Sequence, residues 1–296
     1  MPAEPHPFVS VVVPTADRRA ILADCLEHVL RQDYPGARYE VIVVDDGSRD
    51  GTAEAVRGLA AAGPGPAVRY ERRRRQGAGA ARNAGLAIAR GDLVCFLDDD
   101  ALAPEGWLAA LVDGARRHPE AGCVGGPVRP RVERRPPPTC GAHELAGMSL
   151  DHGPGDAEVD EVWGCNMALR PSAVRAAGGF DERLAVAEDW DWGRRLRAAG
   201  GRLVIVPEAW IHHRRLASDL RVSRLLLEYY RRGYAVGARD PSATGDDGLR
   251  AAAASLRHAA RERCTRGLTD AARSLGLWCA GRVRRGRPIF RAGRPR

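Results

Sequence analysis

Five groups of residues in this chain have the types and spacing for chemistry. Asp98-Asp99-Asp100 follows an apolar run at 93–97. Clustered carboxylates at a strand end suit a hard divalent cation such as Mg²⁺ or Mn²⁺, though such a triplet can also be an acidic turn that caps the next helix. Asp45-Asp46-Gly47-Ser48 ends a second apolar run, with Asp50-Gly51-Thr52 behind it. An acid there can accept a hydrogen bond from a base or sugar, or cap a helix. Gly77-Ala78-Gly79-Ala80-Ala81-Arg82-Asn83 has the outline of a dinucleotide fingerprint with Arg82 in place of the last glycine. The segment before it, 72–76, is not an apolar strand, which argues against a dinucleotide site. An arginine beside a pyrophosphate is the better use of these residues, and the arginine run 72–75 reads as a solvated loop. Glu188-Asp189, with Trp190 and Trp192 after it, offers a general base and flat faces for a sugar, or simply acidic charge at a helix start. His212-His213 could supply an imidazole to a metal site with residues 98–100, or serve a structural purpose.

These groups need elements to hold them. Residues 9–13 form a continuous apolar run, as in a buried parallel strand, ended by Pro14. Ile21, Leu22, Cys25, Leu26, Val29 and Leu30 share one helical face. A second strand is expected at 41–44, a helix over 52–62, a third strand at 68–70, a helix over 79–89 and a fourth strand at 93–97. Pro104 is expected to open another helix, and Val124 to sit in a fifth strand. Residues 129–160, rich in arginine and proline and then in glycine and acid, read as a long irregular connection. Order is expected to return at 161–163. A helix from Glu188 ends at Gly200-Gly201, a strand covers 203–206, and an amphipathic helix covers 219–236. Residues 249–283 read as two basic helices, and the last dozen as disordered. Alternating strands and helices predict an α/β fold with a mostly parallel sheet. In such sheets ligands sit beyond the carboxyl ends of the strands, where both acidic clusters fall.

Composition narrows the function classes. The chain has 296 residues, 44% hydrophobic and 28% charged, enough for one large domain or a domain with an appendage. No stretch approaches the roughly 20 apolar residues that span a bilayer. The N-terminus lacks a basic region ahead of its apolar run and does not read as a signal peptide, so a cytoplasmic location is expected. Cys25, Cys95, Cys123, Cys140, Cys165, Cys264 and Cys279 are odd in number, widely spaced and without a C-x-x-C pair. Reduced thiols are therefore expected, with neither a disulfide framework nor a structural zinc site. The net charge is +8, and residues 247–296 hold thirteen arginines against three acids. Residues 1–246 thus carry about −2, which disfavours nucleic acid as a partner of the main domain.

The order of the motifs carries more than any one of them. V-S-V-V-V-P-T, V-I-V-V-D-D-G-S-x-D-G-T, G-x-G-A-A-R-N-A-G, D-D-D, G-G-F-D-E-R-L, E-D-W-D and His-His follow one another between residues 9 and 213. This series closely resembles glycosyltransferase family 2, of GT-A (Rossmann-like) fold. The resemblance covers about residues 8–215. It implies an inverting transfer from a nucleotide-diphosphate sugar (UDP-, GDP- or dTDP-linked) to an acceptor hydroxyl, with Mg²⁺ or Mn²⁺ as cofactor. The acceptor could be a glycan, lipid-linked or a small molecule. By the same resemblance, Pro14 and Thr15 would line the base pocket, Asp46 would accept a hydrogen bond from the base, and Arg82 would lie near the nucleotide. Asp98 and Asp100 would form the D-x-D motif, with Asp100 the direct metal ligand and Asp99 beside them on the nucleotide-sugar side. Asp189 would be the general base and His213 the distal metal ligand. Trp163, Gly164, Cys165 and Asn166 would border the sugar and acceptor, with Glu188 and Trp190 also on the acceptor side. The family commonly has Tyr-Asn after Pro-Thr, and this chain has Ala16-Asp17.

The expected organisation is a catalytic domain over 1–218, with a nucleotide-sugar half to about 128 and an acceptor half beyond, then a basic helical extension over 219–296. That extension could lie on the inner face of an anionic membrane, pack on the domain, or make a homodimer contact. A catalytically silent sugar-nucleotide-binding scaffold is the alternative function. A nucleotidyltransferase would need a glycine-rich phosphate loop near the first strand, and residues 14–19 contain no glycine.

Overall fold

A computed structural model of the chain describes residues 6–60, 65–133, 137, 139, 149–240, 242–243 and 248–285. The chain divides into two compact units. The first comprises Met1–Arg131 and Ser149–Arg214, and the second Val132–Met148 and Arg215–Arg296. The division falls a few residues before the expected boundary at 218 and assigns 132–148 to the second unit.

In the first unit, β1 (Val9–Thr15), α1 (Arg19–Leu30), β2 (Tyr39–Asp45), α2 (Thr52–Ala60), β3 (Ala67–Arg72), α3 (Ala78–Ile88) and β4 (Leu93–Leu97) alternate as the sequence predicts. Then come β5 (Ala101–Leu102), α4 (Trp107–Arg117), β6 (Ala121–Gly125), β7 (Val128–Val132), β8 (Ala157–Val159) and β9 (Asn166–Leu169). α5 (Pro171–Ala177), α6 (Glu188–Ala198), β10 (Arg202–Ile205) and β11 (Ile211–Arg215) complete it. The large sheet has the order β3-β2-β1-β4-β9-β6-β10-β8, and a small one the order β5-β11-β7. β9 is antiparallel to both β4 and β6, and β8 to β10. The other six strands run one way.

Helices cover both faces, which is why the central strands read as unbroken apolar runs. Val11, Val13, Val41 and Val43 pack with Leu22, Leu26, Trp107 and Leu111 on one side. Val12, Ile42, Val44 and Phe96 pack with Ala81, Ala84, Trp192 and Leu196 on the other. α3 lies so close to β1 that a Cβ on Gly85 would come within 2.3 Å of Val12 Cγ1. Behind this layer, Glu40 is buried, accepting from Ser10 Oγ (2.7 Å), Arg69 Nη1 (3.0 Å) and the Arg90 amide (3.1 Å).

Several local expectations are corrected. Pro14 does not end β1, which continues to Thr15. Pairing with β4 stops at Val12, so a missing N–H beyond that point leaves no ladder bond unmade on that side. Pro104 does not open α4, which begins at Trp107. Residues 129–160 are not wholly irregular, since β7 and β8 fall within them and Leu150 bridges Val128. The return of order expected at 161–163 comes earlier, with β8 at Ala157–Val159, and 161–163 themselves join no strand or helix. The expected disorder of the last dozen residues lies outside the described residues.

The second unit holds α7 (Val222–Arg239), α8 (Gly248–Glu262) and α9 (Thr265–Arg284). α7 and α9 meet through glycines: a Cβ on Gly276 would lie 2.2 Å from the Tyr230 carbonyl oxygen, and one on Gly233 2.2 Å from that of Arg273. Among the described residues, no helix is long and apolar enough to cross a membrane. Cys25, Cys95, Cys123, Cys165, Cys264 and Cys279 are buried free thiols, and Cys140 lies outside the described residues.

Candidate active site

β1, β2 and β4 are neighbours in the sheet, and their carboxyl ends deliver Thr15, Asp45 and the acid triplet to one edge. The triplet divides its labour. Asp99 turns inward and is 4% exposed, accepting from Thr15 Oγ1 at 2.7 Å and Arg18 Nη1 at 2.6 Å. Burial pushes its carboxyl up to about 7, against the pull of Arg18 and Thr15 toward the ionised form. Asp99, expected on the nucleotide-sugar side, is thus held among protein groups. Asp100 Oδ2 accepts from Arg18 Nη2 at 2.8 Å. Asp98, the most exposed of the three, accepts from Arg82 Nη2 at 2.7 Å.

β11 brings a histidine to the same place. It pairs with β5 in the register His213↔Ala101 and His212↔Leu102. Successive strand residues face opposite sides, so only one imidazole can face the acids. It is His213, whose Nε2 lies 3.3 Å from Asp100 Oδ1. His212 packs instead on Trp210, with ring centroids 5.0 Å apart. Burial, helped by Arg131, holds the His212 imidazole below its ordinary value.

Arg82 joins this edge to the second half of the unit. α3 carries it into the interior, where its side chain is 4% exposed. Nη1 donates to Glu188 Oε1 and Nη2 to Asp98 Oδ1. Its Nε has no hydrogen-bond partner among the described residues. Burial alone would weaken its charge, but Asp98, Glu188 and Asp189 outweigh that and hold it protonated. Burial also raises the Glu188 carboxyl, with Arg82 opposing. Breaking such a buried pair from one side costs about 3–5 kcal/mol.

Gly164 lets these groups close up. A Cβ there would lie 2.9 Å from Arg82 Nη2 and 3.1 Å from Asp189 Cβ. The Gly164 amide donates to Asp189 Oδ2 at 2.7 Å, and the Trp190 amide to Asp189 Oδ1 at 2.8 Å. Ala187 turns the chain into α6 with a left-handed φ of 65°, which directs Glu188 and Asp189. Nearby, Asn83 on α3 clasps the Gly-Gly-Phe turn, donating to the Phe180 carbonyl and accepting from the Phe180 amide.

Other predicted residues take different places. Asn166, expected beside the acceptor, is fully buried. It accepts from Trp107 Nε1 and donates to the Pro127 and Ala209 carbonyls, leaving it a core clasp. Asp46 has one oxygen on the Gln76 amide and the other on the Gly77 amide, both at 2.8 Å, so it closes the loop before α3. Pro14 sits in β1 opposite Val44. Trp163 is half-buried with its Nε1 donating to Glu161, and Trp190 lies under the Arg194 guanidinium at 5.9 Å. Sequence reasoning missed Arg18, which clamps two of the three acids. An arginine in a loop carries no periodic or motif signal.

The site therefore offers carboxylates from Asp98 and Asp100, the His213 imidazole and the oriented Asp189 carboxylate. The first three suit a divalent cation.

Residues 10–175 match the family profile described as Glycosyl transferase family 2. The chain is 30% identical over 197 residues to glycosyltransferase AglE of Haloferax volcanii, covering 66% of this chain and 62% of that protein. It is 31% identical over 199 residues to succinoglycan biosynthesis protein ExoM of Rhizobium meliloti, covering 66% of this chain and 63% of that protein. The matches thus span less than two thirds of either relative. Among solved structures, it is similar to mannosyltransferase PcManGT from Pyrobaculum calidifontis in complex with GDP-Man and Mn²⁺. The TM-score is 0.69 at 22% identity, over 93% of this chain and 88% of that one, a likeness of fold.

Proposed function

Because the chain belongs to glycosyltransferase family 2, a family of GT-A fold, we propose that it is an inverting, divalent-metal-dependent glycosyltransferase. It would move a sugar from a nucleotide-diphosphate sugar to an acceptor hydroxyl. The observation that carries this reading is the Arg82 cluster. One buried guanidinium ties Asp98 to Glu188 and lies against Gly164, whose amide orients Asp189. Asp98, on the side that would face the donor, is hydrogen-bonded through Arg82 to Glu188, and Gly164 packs that guanidinium beside the carboxylate that would face the acceptor.

Asp98 and His213 bring donor atoms within 4.8 Å of one another, and His213 Nε2 lies 3.3 Å from Asp100 Oδ1, donors of the types that the family's cation takes. Asp98, Asp100 and His213 would hold Mg²⁺ or Mn²⁺, as Mn²⁺ accompanies GDP-Man in the mannosyltransferase. Such an ion neutralises the charge that develops on a departing diphosphate. The chain's own residues supply the rest. Asp189, with one hydrogen bond already on each oxygen, keeps acceptor capacity for the proton of the incoming hydroxyl. As that proton passes to Asp189, the acceptor oxygen forms its bond to the anomeric carbon. The bond to the diphosphate oxygen breaks, and the nucleoside diphosphate leaves with the electron pair. Attack from the face opposite the leaving group inverts the centre. Arg82 donates to Asp98 and aligns it, and Thr15 and Arg18 hold Asp99 beneath the site.

We place the acceptor among cell-envelope glycans, glycolipids or small natural products. The second unit, by itself, offers an anionic membrane a basic surface with Leu249, Leu256 and Leu275 exposed. This would hold the enzyme peripherally on the inner face of a membrane.

The test is a melting-temperature panel with UDP, GDP, dTDP and CDP, with and without Mn²⁺, on the wild type and Asp100→Ala. A ligand that binds the native state raises the transition, by about 2.7 kcal/mol at 100 times Kd. One nucleotide should shift the wild type only with metal and leave the variant unmoved. No shift with any nucleotide, in the presence and absence of anionic vesicles, overturns the reading.

A further inference from the structure

Asp98, Cys165 and His213 each bring one ligand atom within 4.8 Å of the other two. They come from three places in the chain: the end of β4, the turn before β9, and β11. Cys165 is 6% exposed and His213 8%. Cys165 has no part in the mechanism above.

The chemistry of this set differs from that of a carboxylate site. Mg²⁺ takes oxygen ligands and dehydrates reluctantly. A thiolate with an imidazole suits Zn²⁺ and its Co²⁺ substitute, and catalytic zinc sites use three protein donors with a fourth position open. Oxygen, sulfur and nitrogen converging from three elements match that pattern. The backbone also favours it. Gly164 and Asn166 flank Cys165, one tied to Asp189 and the other fixed in the core, so the position of the thiol is set from both sides.

We infer that Cys165 is a metal donor in this pocket, and that the chain takes a thiophilic divalent cation through Asp98, Cys165 and His213. The inference rests on the reading of the pocket as a divalent-cation site and specifies which ions it prefers. On coordination the Cys165 thiol gives up its proton to solvent and the sulfur donates an electron pair to the metal. No oxidant is involved. Zn²⁺ then binds more tightly than Mg²⁺ or Mn²⁺, and competes with them.

The test uses the full chain, stripped by chelator, with Co²⁺ and Zn²⁺ as probes. Co²⁺ bound to a thiolate gives a near-ultraviolet sulfur-to-metal charge-transfer band. The band is expected in the wild type and in Cys140→Ser, and absent in Cys165→Ser. Zn²⁺ affinity, measured against a chromophoric chelator, falls about tenfold or more in Cys165→Ser, while Mn²⁺ affinity changes by less than about twofold. X-ray absorption on the zinc-loaded wild type needs no variant and should show one sulfur at about 2.3 Å. A band that survives Cys165→Ser, or a zinc shell without sulfur, overturns the inference while Mn²⁺ binding leaves the cation site standing. Absence of binding by Zn²⁺, Co²⁺, Mn²⁺ and Mg²⁺, with or without a nucleoside diphosphate, overturns both.

Discussion

Asp189 receives two backbone amides, one on each carboxylate oxygen, before any substrate is present. Such a group is already aimed, so replacing it with an isosteric amide removes the proton acceptor and little of the architecture. Asp189→Asn should lower kcat by about 10²–10⁴-fold. The nucleotide-induced rise in melting temperature should stay within error of the wild type. An unchanged kcat would remove Asp189 from the mechanism. The same residue shows what the sequence can and cannot disclose. Its E-D-W-D setting identifies a carboxylate at a helix start. The amide of Gly164, 25 positions earlier, is visible only once the chain is folded. Arg18 makes the point more sharply, since it meets Asp99 and Asp100 across more than 80 positions with no motif around it. Asn166 erred the other way: a polar residue in a promising segment turned out to be a core clasp, because a buried Trp107 indole needed an acceptor.

At the scale of elements, β1, β2 and β4 were legible because both faces of each are covered, which leaves an unbroken apolar run. β9 was not, because four residues, Asn166–Leu169, are too few to show a period, and its antiparallel direction is decided by its neighbours. β2 also carries the buried Glu40, whose partners come from β1, β3 and the loop after α3. Burial raises its carboxyl, but the bonds from Ser10, Arg69 and the Arg90 amide together hold it below the ordinary carboxylate value. A group depressed on folding stabilises fully above its unfolded pKa, about 4.3, and loses that contribution as pH falls through the folded value. Glu40→Gln should therefore destabilise the protein at pH 7 by about 1–3 kcal/mol. Urea unfolding should show the difference shrinking below pH 4.5 or so. A difference that is constant down to acid pH would mean that the Glu40 carboxyl binds protons alike in the folded and unfolded chain, and that its bonds do not depress it.

For the whole molecule, the sequence anticipates a basic extension from 219, whereas the compact units divide at 214/215, a position with no compositional mark, and 132–148 go with the second. Thirteen arginines against three acids over 247–296 give the second unit a strong positive field, while the rest of the chain is nearly neutral. Attraction between such a field and anionic lipid weakens as salt shortens the screening length, from about 10 Å at 0.1 M to about 3 Å at 1 M. Sedimentation with anionic vesicles should capture the protein at low salt and release it at high salt, with neutral vesicles capturing little. Capture that ignores both lipid charge and salt would assign the contact to the exposed leucines.

Arg18, spread across Asp99 and Asp100, is a resident counter-ion. If the site takes a divalent ion as proposed, an ion arriving alone would displace a positive charge to gain its ligands, and its net electrostatic gain would be small. An ion that arrives with a nucleoside diphosphate brings the displaced guanidinium a new anion to hold. Metal and nucleotide should then strengthen one another's binding, and linkage demands that the factor be the same in both directions. Titrating Mn²⁺ with and without UDP or GDP, and the nucleotide with and without Mn²⁺, should return one number twice. In Arg18→Ala that number should shrink, because metal alone would bind better. A salt bridge that looks like mere packing would thus set the order in which this protein accepts its ligands.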